Sequence, residues 1–418
     1  MEKTKTMKII VAHPGQQHSY QLAVALKKHG CLFRYVTTFY SFQSRKGIMA
    51  SLLGKINTRA TKRRCEGLEE SDVKTFLTYG FYLVAILLRI DKNGKLYRKA
   101  NGWLSNRFGE KIARYAIKNK ADVVIMYDTN VERCFSILKK EVPEIIRIQD
   151  VSAINRLYMK DVYEKDMKRF PECAEQLMKE RGFLFDEKSQ DSWKNEIALS
   201  DYFIVPSEIV HTSLLYSGVK PEQIFECPYG TYFEIQKSEY RKHEKLNVLY
   251  VGNVTQMKGI FYLLEAAKKL PKDKFEFTVV GKYDENSKLL EKYKEYVRFT
   301  GFVMHERVKD YLEKADVFVF PSLGDSFGLA VLEALSYGLP VICSDHAGAV
   351  DAISDGKNGF IVPVGSSEAI IEKLQYCYNN PDFIKQAKQA AYETAEKYSW
   401  SNYQDCIGKM IKKTRQFK

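Results

Sequence analysis

The chain alternates short apolar runs with longer segments whose apolar residues recur at helical spacing. Residues 8–12 (KIIVA) are the first such run; the turn His13-Pro14-Gly15 follows, and residues 17–29 then carry Leu22, Val24, Ala25 and Leu26 before Gly30. That order predicts strand, loop and helix. Residues 31–37, 123–127, 145–149 and 202–206 repeat the strand pattern with helical segments between them, so the first half predicts a parallel α/β sheet. Pro228-Tyr229-Gly230 breaks the alternation, and the polar stretch 237–245 predicts a linker. The pattern then restarts, with strands predicted over 248–251, 275–280, 297–299, 317–320, 341–343 and 359–362, and helices over 259–270, 306–314 and 328–336. The expected architecture is α/β: two doubly wound, Rossmann-like domains, 1–236 and 237–399, facing a central cleft, the first completed by a C-terminal helix at about 400–418. In such sheets ligands sit at the carboxyl ends of the strands.

Length agrees, since 418 residues exceed one ordinary core. The eight cysteines are scattered without a Cys-x-x-Cys pair or metal-like spacing, which predicts reduced thiols in a cytosol and no zinc site. Residues 1–7 are Lys-rich and no apolar stretch of signal-peptide length follows, so the protein is expected in the cytoplasm. Residues 79–90 (YGFYLVAILLRI) are the most apolar run. They fall short of the roughly 20 residues that span a bilayer. A core helix is expected there, with a membrane-dipping helix as the alternative.

Charge is informative once located. Residues 1–100 hold 19 Lys and Arg against 6 Asp and Glu, whereas the remainder holds 46 of each. Within that basic part, 44–65 has seven basic and no acidic residues, with Ile48, Met49, Leu52, Leu53 and Ile56 at helical spacing. This is the pattern of a basic amphipathic helix on an anionic membrane, and a solvated loop-and-helix edge is the alternative. No RNA or DNA-reading motif accompanies the charge, so nucleic acid is not an expected partner.

The most specific chemistry lies in residues 321–340 (PSLGDSFGLAVLEALSYGLP), directly after the strand VFVF. Ser326 is expected to cap the next helix, and Gly328 to leave its first backbone N–H groups open to a phosphate. Asp325 and Glu333 would then stand about 12 Å apart along the axis. One carboxylate can meet sugar hydroxyls and the other ribose hydroxyls, with a diphosphate between. The alternative is an ordinary helix bearing two incidental acids. A second constellation, 250–259 (YVGNVTQMKG), is a strand, a glycine turn at Gly252 and a lysine before a helix. Lys258 can supply positive charge to a departing diphosphate.

These residues resemble glycosyltransferase family 4. Residues 321–340 match its E-x7-E signature, 228–232 (PYGTY) is similar to its Pro-Asn-Gly-Val-Asp turn, and 355–360 (DGKNGF) to its D-G-x-x-G-F/L segment. Residues 200–207 (SDYFIVPS) look like the strand before its linker, and 13–18 (HPGQQH) like the first loop of a branch that builds bacterial surface polysaccharides. The resemblance implies the GT-B fold and transfer, with retention of configuration and without a metal cofactor, of a hexosyl group from a UDP- or GDP-sugar to a saccharide or lipid-linked acceptor. It implies that Asp325 and Lys258 are catalytic. The donor would be bound by Glu333, Gly252, Asn253, Ser326, Phe327, Gly328 and Leu329, and its base by backbone around Gly301, Phe302 and Val303. Gly15 and Gln16 would approach donor phosphate and acceptor. His18 could bond either substrate or merely cap a helix, and Asp128 and Asp150 end strands that should face the cleft.

Two departures matter. The first acid is Asp325 where the family usually has Glu, and Asn253 stands where many members have an arginine partner for the lysine, leaving Lys258 as the one expected cation. A non-catalytic partner of another transferase is therefore an alternative, as is a nucleotide-sugar epimerase of the same fold. A dehydrogenase is disfavoured because Gly-x-Gly-x-x-Gly is missing after the first strand.

Overall fold

The computed structural model describes residues 7–16, 18–42, 63–91, 94–240 and 242–414. Only Arg63, Arg64 and Cys65 of the basic stretch 44–65 fall within them, so the amphipathic helix expected there lies outside the described residues. Among the described residues there are two parallel sheets. The first contains β1 (Ile9–Ala12), β2 (Leu32–Thr37), β3 (Val73–Thr75), β4 (Val123–Tyr127), β5 (Ile146–Asp150), β6 (Tyr202–Val205) and β7 (Ile224–Glu226), ordered β3-β2-β1-β4-β5-β6-β7. The second contains β8 (Leu246–Val251), β9 (Phe275–Val280), β10 (Val297–Phe299), β11 (Val317–Phe320), β12 (Val341–Ser344) and β13 (Gly359–Val362), ordered β10-β9-β8-β11-β12-β13.

Helices cover both sheets. The first part of the chain supplies α1 (Ser19–Lys28), α2 (Thr78–Ile90), α3 (Lys95–Lys118), α4 (Glu132–Glu141), α5 (Arg156–Arg169), α6 (Pro171–Arg181), α7 (Glu187–Leu199) and α8 (Glu208–Leu215). The second part of the chain adds α9 (Ile260–Lys269), α10 (Lys288–Glu291), α11 (His305–Leu312), α12 (Leu329–Ser336), α13 (Ser367–Asn379), α14 (Pro381–Lys397) and α15 (Trp400–Thr414). Central strands are buried on both faces, as parallel strands under helices must be: every residue of β4 (VVIMY) and β11 (VFVF) is buried. That is why these strands read as continuous apolar runs. The edge strands β3 and β7 have three residues each and left no such run to find.

Residues 79–90 do form a helix, α2, but not a core one. Of its residues only Gly80 is fully buried, where it meets Leu104 of α3, while Tyr79, Leu83, Ile86, Leu88 and Ile90 are exposed. The segment is apolar around its whole circumference, and one contact face against α3 cannot cover it.

The chain crosses between the sheets twice, side by side. Thr231 N–H donates to the Tyr398 carbonyl at 2.9 Å, and a Cβ on Gly230 would come within 2.2 Å of the Trp400 nitrogen. Beyond this crossing α15 returns to the first sheet, burying Tyr403, Ile407, Met410 and Ile411 with Leu22 and Leu26 of α1. α14 stays on α12.

Candidate active site

The parallel registers bring the expected residues to one end of each sheet. Tyr127 pairs with Asp150 across β4 and β5, so the segments that follow, with Asp128 and Ser152, leave the sheet at the same level. Asp128 is buried and its Oδ1 accepts from Ser152 Oγ at 2.7 Å; burial pushes its carboxyl above the ordinary range, against the pull of that bond. His18 opens α1, but its ring makes no cap bond to the helix. Instead its Nε2 lies 3.0 Å from Asp150 Oδ1, and its ring packs against Tyr229 of the crossing segment, centroids 4.1 Å apart and planes tilted by 35°. Two residues expected separately at the cleft thus form one pair. Gly15 and Gln16 shape the loop before it: Gly15 N–H donates to His13 Nδ1 at 2.7 Å, and the Gln16 carbonyl accepts from Ser19 N–H at 3.3 Å.

In the second sheet the loops after β8 and β11 interlock. Gly259 holds φ +66° and a Cβ there would stand 1.8 Å from the Pro321 carbonyl oxygen, a contact only glycine allows. Leu323 N–H and Ser322 Oγ both donate to the Met257 carbonyl, at 3.1 and 3.3 Å. With the loops so pinned, Lys258 Nζ pairs with Asp325 Oδ2. Asp325 is fixed further by its backbone, its N–H on the His346 carbonyl at 3.2 Å and its own carbonyl on Gly348 N–H at 2.7 Å.

The expected cap is corrected. Gly328, at φ +78°, is the capping residue of α12 and receives no side-chain bond, and a Cβ on it would press within 2.8 Å of Ala349. Asp325 Oδ1 instead accepts Phe327 N–H at 3.1 Å, because its shorter side chain reaches back to the turn just after it. Ser326 serves the domain contact: its carbonyl accepts from Ser207 Oγ at 2.7 Å. Leu329 begins the helix and is exposed.

Glu333 lies within α12. Its Oε1 is 3.7 Å from His305 Nδ1, just beyond the segment Gly301, Phe302, Val303. Burial raises its carboxyl above the ordinary range, which His305 partly opposes. Phe302 is exposed, and with Val303 it borders a cavity of about 660 Å³, which runs between α11 and the second sheet and is not lined by Lys258 or Asp325. Gly252 precedes the exposed Asn253, whose carbonyl accepts from Tyr250 OH at 2.8 Å.

A smaller cavity, about 330 Å³, lies between the domains and does contain the pair. Lys258, Gly324, Asp325 and Ser326 face Asp128, Thr129, Arg156 and Arg181 across it. Gly324 sits against Met159 of α5, where a Cβ would be 2.4 Å from the methionine methyl. The arginines had no legible sequence signal, being helix-end residues far from either motif. Nor did Glu196 of α7, whose Oε2 accepts Thr129 N–H at 3.0 Å and whose carboxyl burial pushes up to about 7.

Residues 232–394, less than half of the chain, match the family model of glycosyl transferases group 1. A stretch of 190 residues is 32% identical to an uncharacterized 41.2 kDa protein in the cps region of Klebsiella pneumoniae, covering 45% of this chain and 49% of that protein. Another, of 141 residues, is 33% identical to the amylovoran biosynthesis glycosyltransferase AmsK of Erwinia amylovora, covering 31% and 35%. The chain thus spans about half or less of the length of these relatives. Across nearly the whole chain the structure follows that of Anabaena HepE in complex with UDP, with a TM-score of 0.59 at 15% identity and coverage of 97% and 100%. The fold is GT-B, two doubly wound parallel sheets facing each other.

Proposed function

We propose that the protein is a retaining glycosyltransferase of the family 4 type that moves a hexosyl group from a UDP- or GDP-sugar to a saccharide or lipid-linked acceptor in surface polysaccharide synthesis. The observation that carries this is the Lys258–Asp325 pair in the interdomain cavity, with Asp325 eight residues before Glu333 of α12. The relatives support it: AmsK is named an amylovoran biosynthesis glycosyltransferase, and HepE was seen with UDP.

In the reaction Glu333 holds the ribose, the α12 start and Lys258 take the diphosphate, and Asp325 meets the sugar. As the anomeric bond breaks, negative charge grows on the leaving phosphate beside Lys258, and the fixed ammonium stabilises that state more than the ground state. The acceptor hydroxyl enters from the first domain's side, past Gly15, Gln16 and His18, bonds the anomeric carbon on the face the phosphate leaves and gives its proton to the departing phosphate oxygen; no metal is assigned a step. Closure of the cavity keeps water from the donor.

A panel of UDP- and GDP-sugars tests the proposal. The right donor at a hundred times its dissociation constant should stabilise the fold by about 2.7 kcal/mol, seen as a raised melting temperature, and then support turnover. If no nucleotide sugar does either, the proposal fails. Product NMR should show a retained anomeric configuration; inversion would instead make His18, paired with Asp150, the base.

The working place we assign is the cytoplasmic face of a membrane with anionic lipid. No helix among the described residues is long and apolar enough to cross one. The support is α2, whose exposed Leu83, Ile86 and Ile90 adjoin basic Arg89, Lys95 and Arg98. Leu83→Glu with Ile86→Glu should remove most binding to phosphatidylglycerol vesicles in sedimentation, with the melting temperature kept. Undiminished binding would rule out α2 as the contact.

A further inference from the structure

We infer that Arg181, at the end of α6 in the first domain, is a second cation for the donor's diphosphate; this rests on the donor reading above. A diphosphate gains charge as it leaves, and one lysine already paired with Asp325 answers only part of it. Asn253 adds no charge. Arg181 and Lys258 line the same cavity, one from each domain.

The surroundings of Arg181 argue that its guanidinium is held in place yet still able to bind. Its Nε lies 2.8 Å from Met257 Sδ, and Nη2 also contacts that sulfur. A thioether is a weak acceptor, so the side chain is positioned without its donors being well used. It makes no ion pair among the described residues. Met257 directly precedes Lys258, and its carbonyl is tied to Ser322 and Leu323, so the guanidinium stands over the strip that carries both Lys258 and Asp325. Its planar fork can take two phosphate oxygens at once, which an ammonium cannot. Arg156 lines the same cavity but sits over the Phe183 ring, 5.7 Å from its centroid.

Calorimetry with UDP and GDP, combined with donor kinetics, tests this. Arg181→Gln should weaken binding of the nucleotide that wild type binds by about 10–100-fold, the worth of a charge-assisted contact. Arg156→Gln should weaken it far less. Asn253→Arg placed in the Arg181→Gln chain should restore most of the affinity, since it returns a cation from the β8 loop without rebuilding the Met257 contact. Unchanged affinity in Arg181→Gln, equal losses in the two arginine variants, or a loss that Asn253→Arg does not restore would each overturn the assignment, the last by making Arg181 a packing residue. Should wild type bind neither nucleotide, the donor reading itself falls, a separate result.

Discussion

Lys258→Ala is expected to lower kcat by about 10²–10³-fold, the loss typical when one preorganised charge is removed from a developing anion. Donor affinity should fall much less. Lys258 is also the partner of Asp325, however, and truncation leaves that carboxylate uncompensated beside an incoming diphosphate. Adding Asp325→Asn separates the two effects: it should relieve the repulsion and recover donor affinity, but not turnover. Steady-state kinetics with the donor identified by the panel give both numbers. Equal losses of kcat and affinity in Lys258→Ala, both recovered by Asp325→Asn, would reduce the lysine to a counter-ion and remove its role at the leaving group.

The second large effect concerns binding alone. Glu333→Ala should weaken the nucleotide sugar by about 10–100-fold with kcat nearly kept, because a carboxylate on ribose hydroxyls contributes the same in ground and transition states. Titration calorimetry decides it, and unchanged affinity sinks the ribose contact. The burial that lifts the Glu333 carboxyl adds a pH signature. A raised value means protonation sets in at higher pH than for an exposed glutamate, so affinity that depends on its charge is lost earlier on acidification. His305, mostly exposed at 3.7 Å, opposes that shift, and His305→Ala should move the loss to still higher pH.

The second-sheet half of the candidate site was legible because its chemistry is local. A strand, a short loop ending in a glycine at positive φ and a helix start follow one another along the chain, so Gly328, Asp325 and Glu333 can be placed by counting residues. Lys258 was legible for the same reason. Even here counting had limits: it gave the cap to Ser326, whereas the short Asp325 side chain turned back to Phe327 N–H and left Ser326 facing Ser207 of the other domain.

Sequence by itself determined the alternation of strands and helices, the two-sheet architecture and the identity of the acids and lysine, since buried parallel strands must be apolar throughout and a helix start must be shaped by its own residues. Only the tertiary structure decided what depends on chain segments meeting from afar. It paired His18 with Asp150, 132 positions apart, because β1 and β5 end at the same level of one sheet. It left α2 exposed, because a single face of α3 cannot cover a helix that is apolar all round. It also laid Arg181 on Met257, 76 positions away across the cleft, since a guanidinium beside a thioether carries no local pattern and is fixed only when the two domains pack.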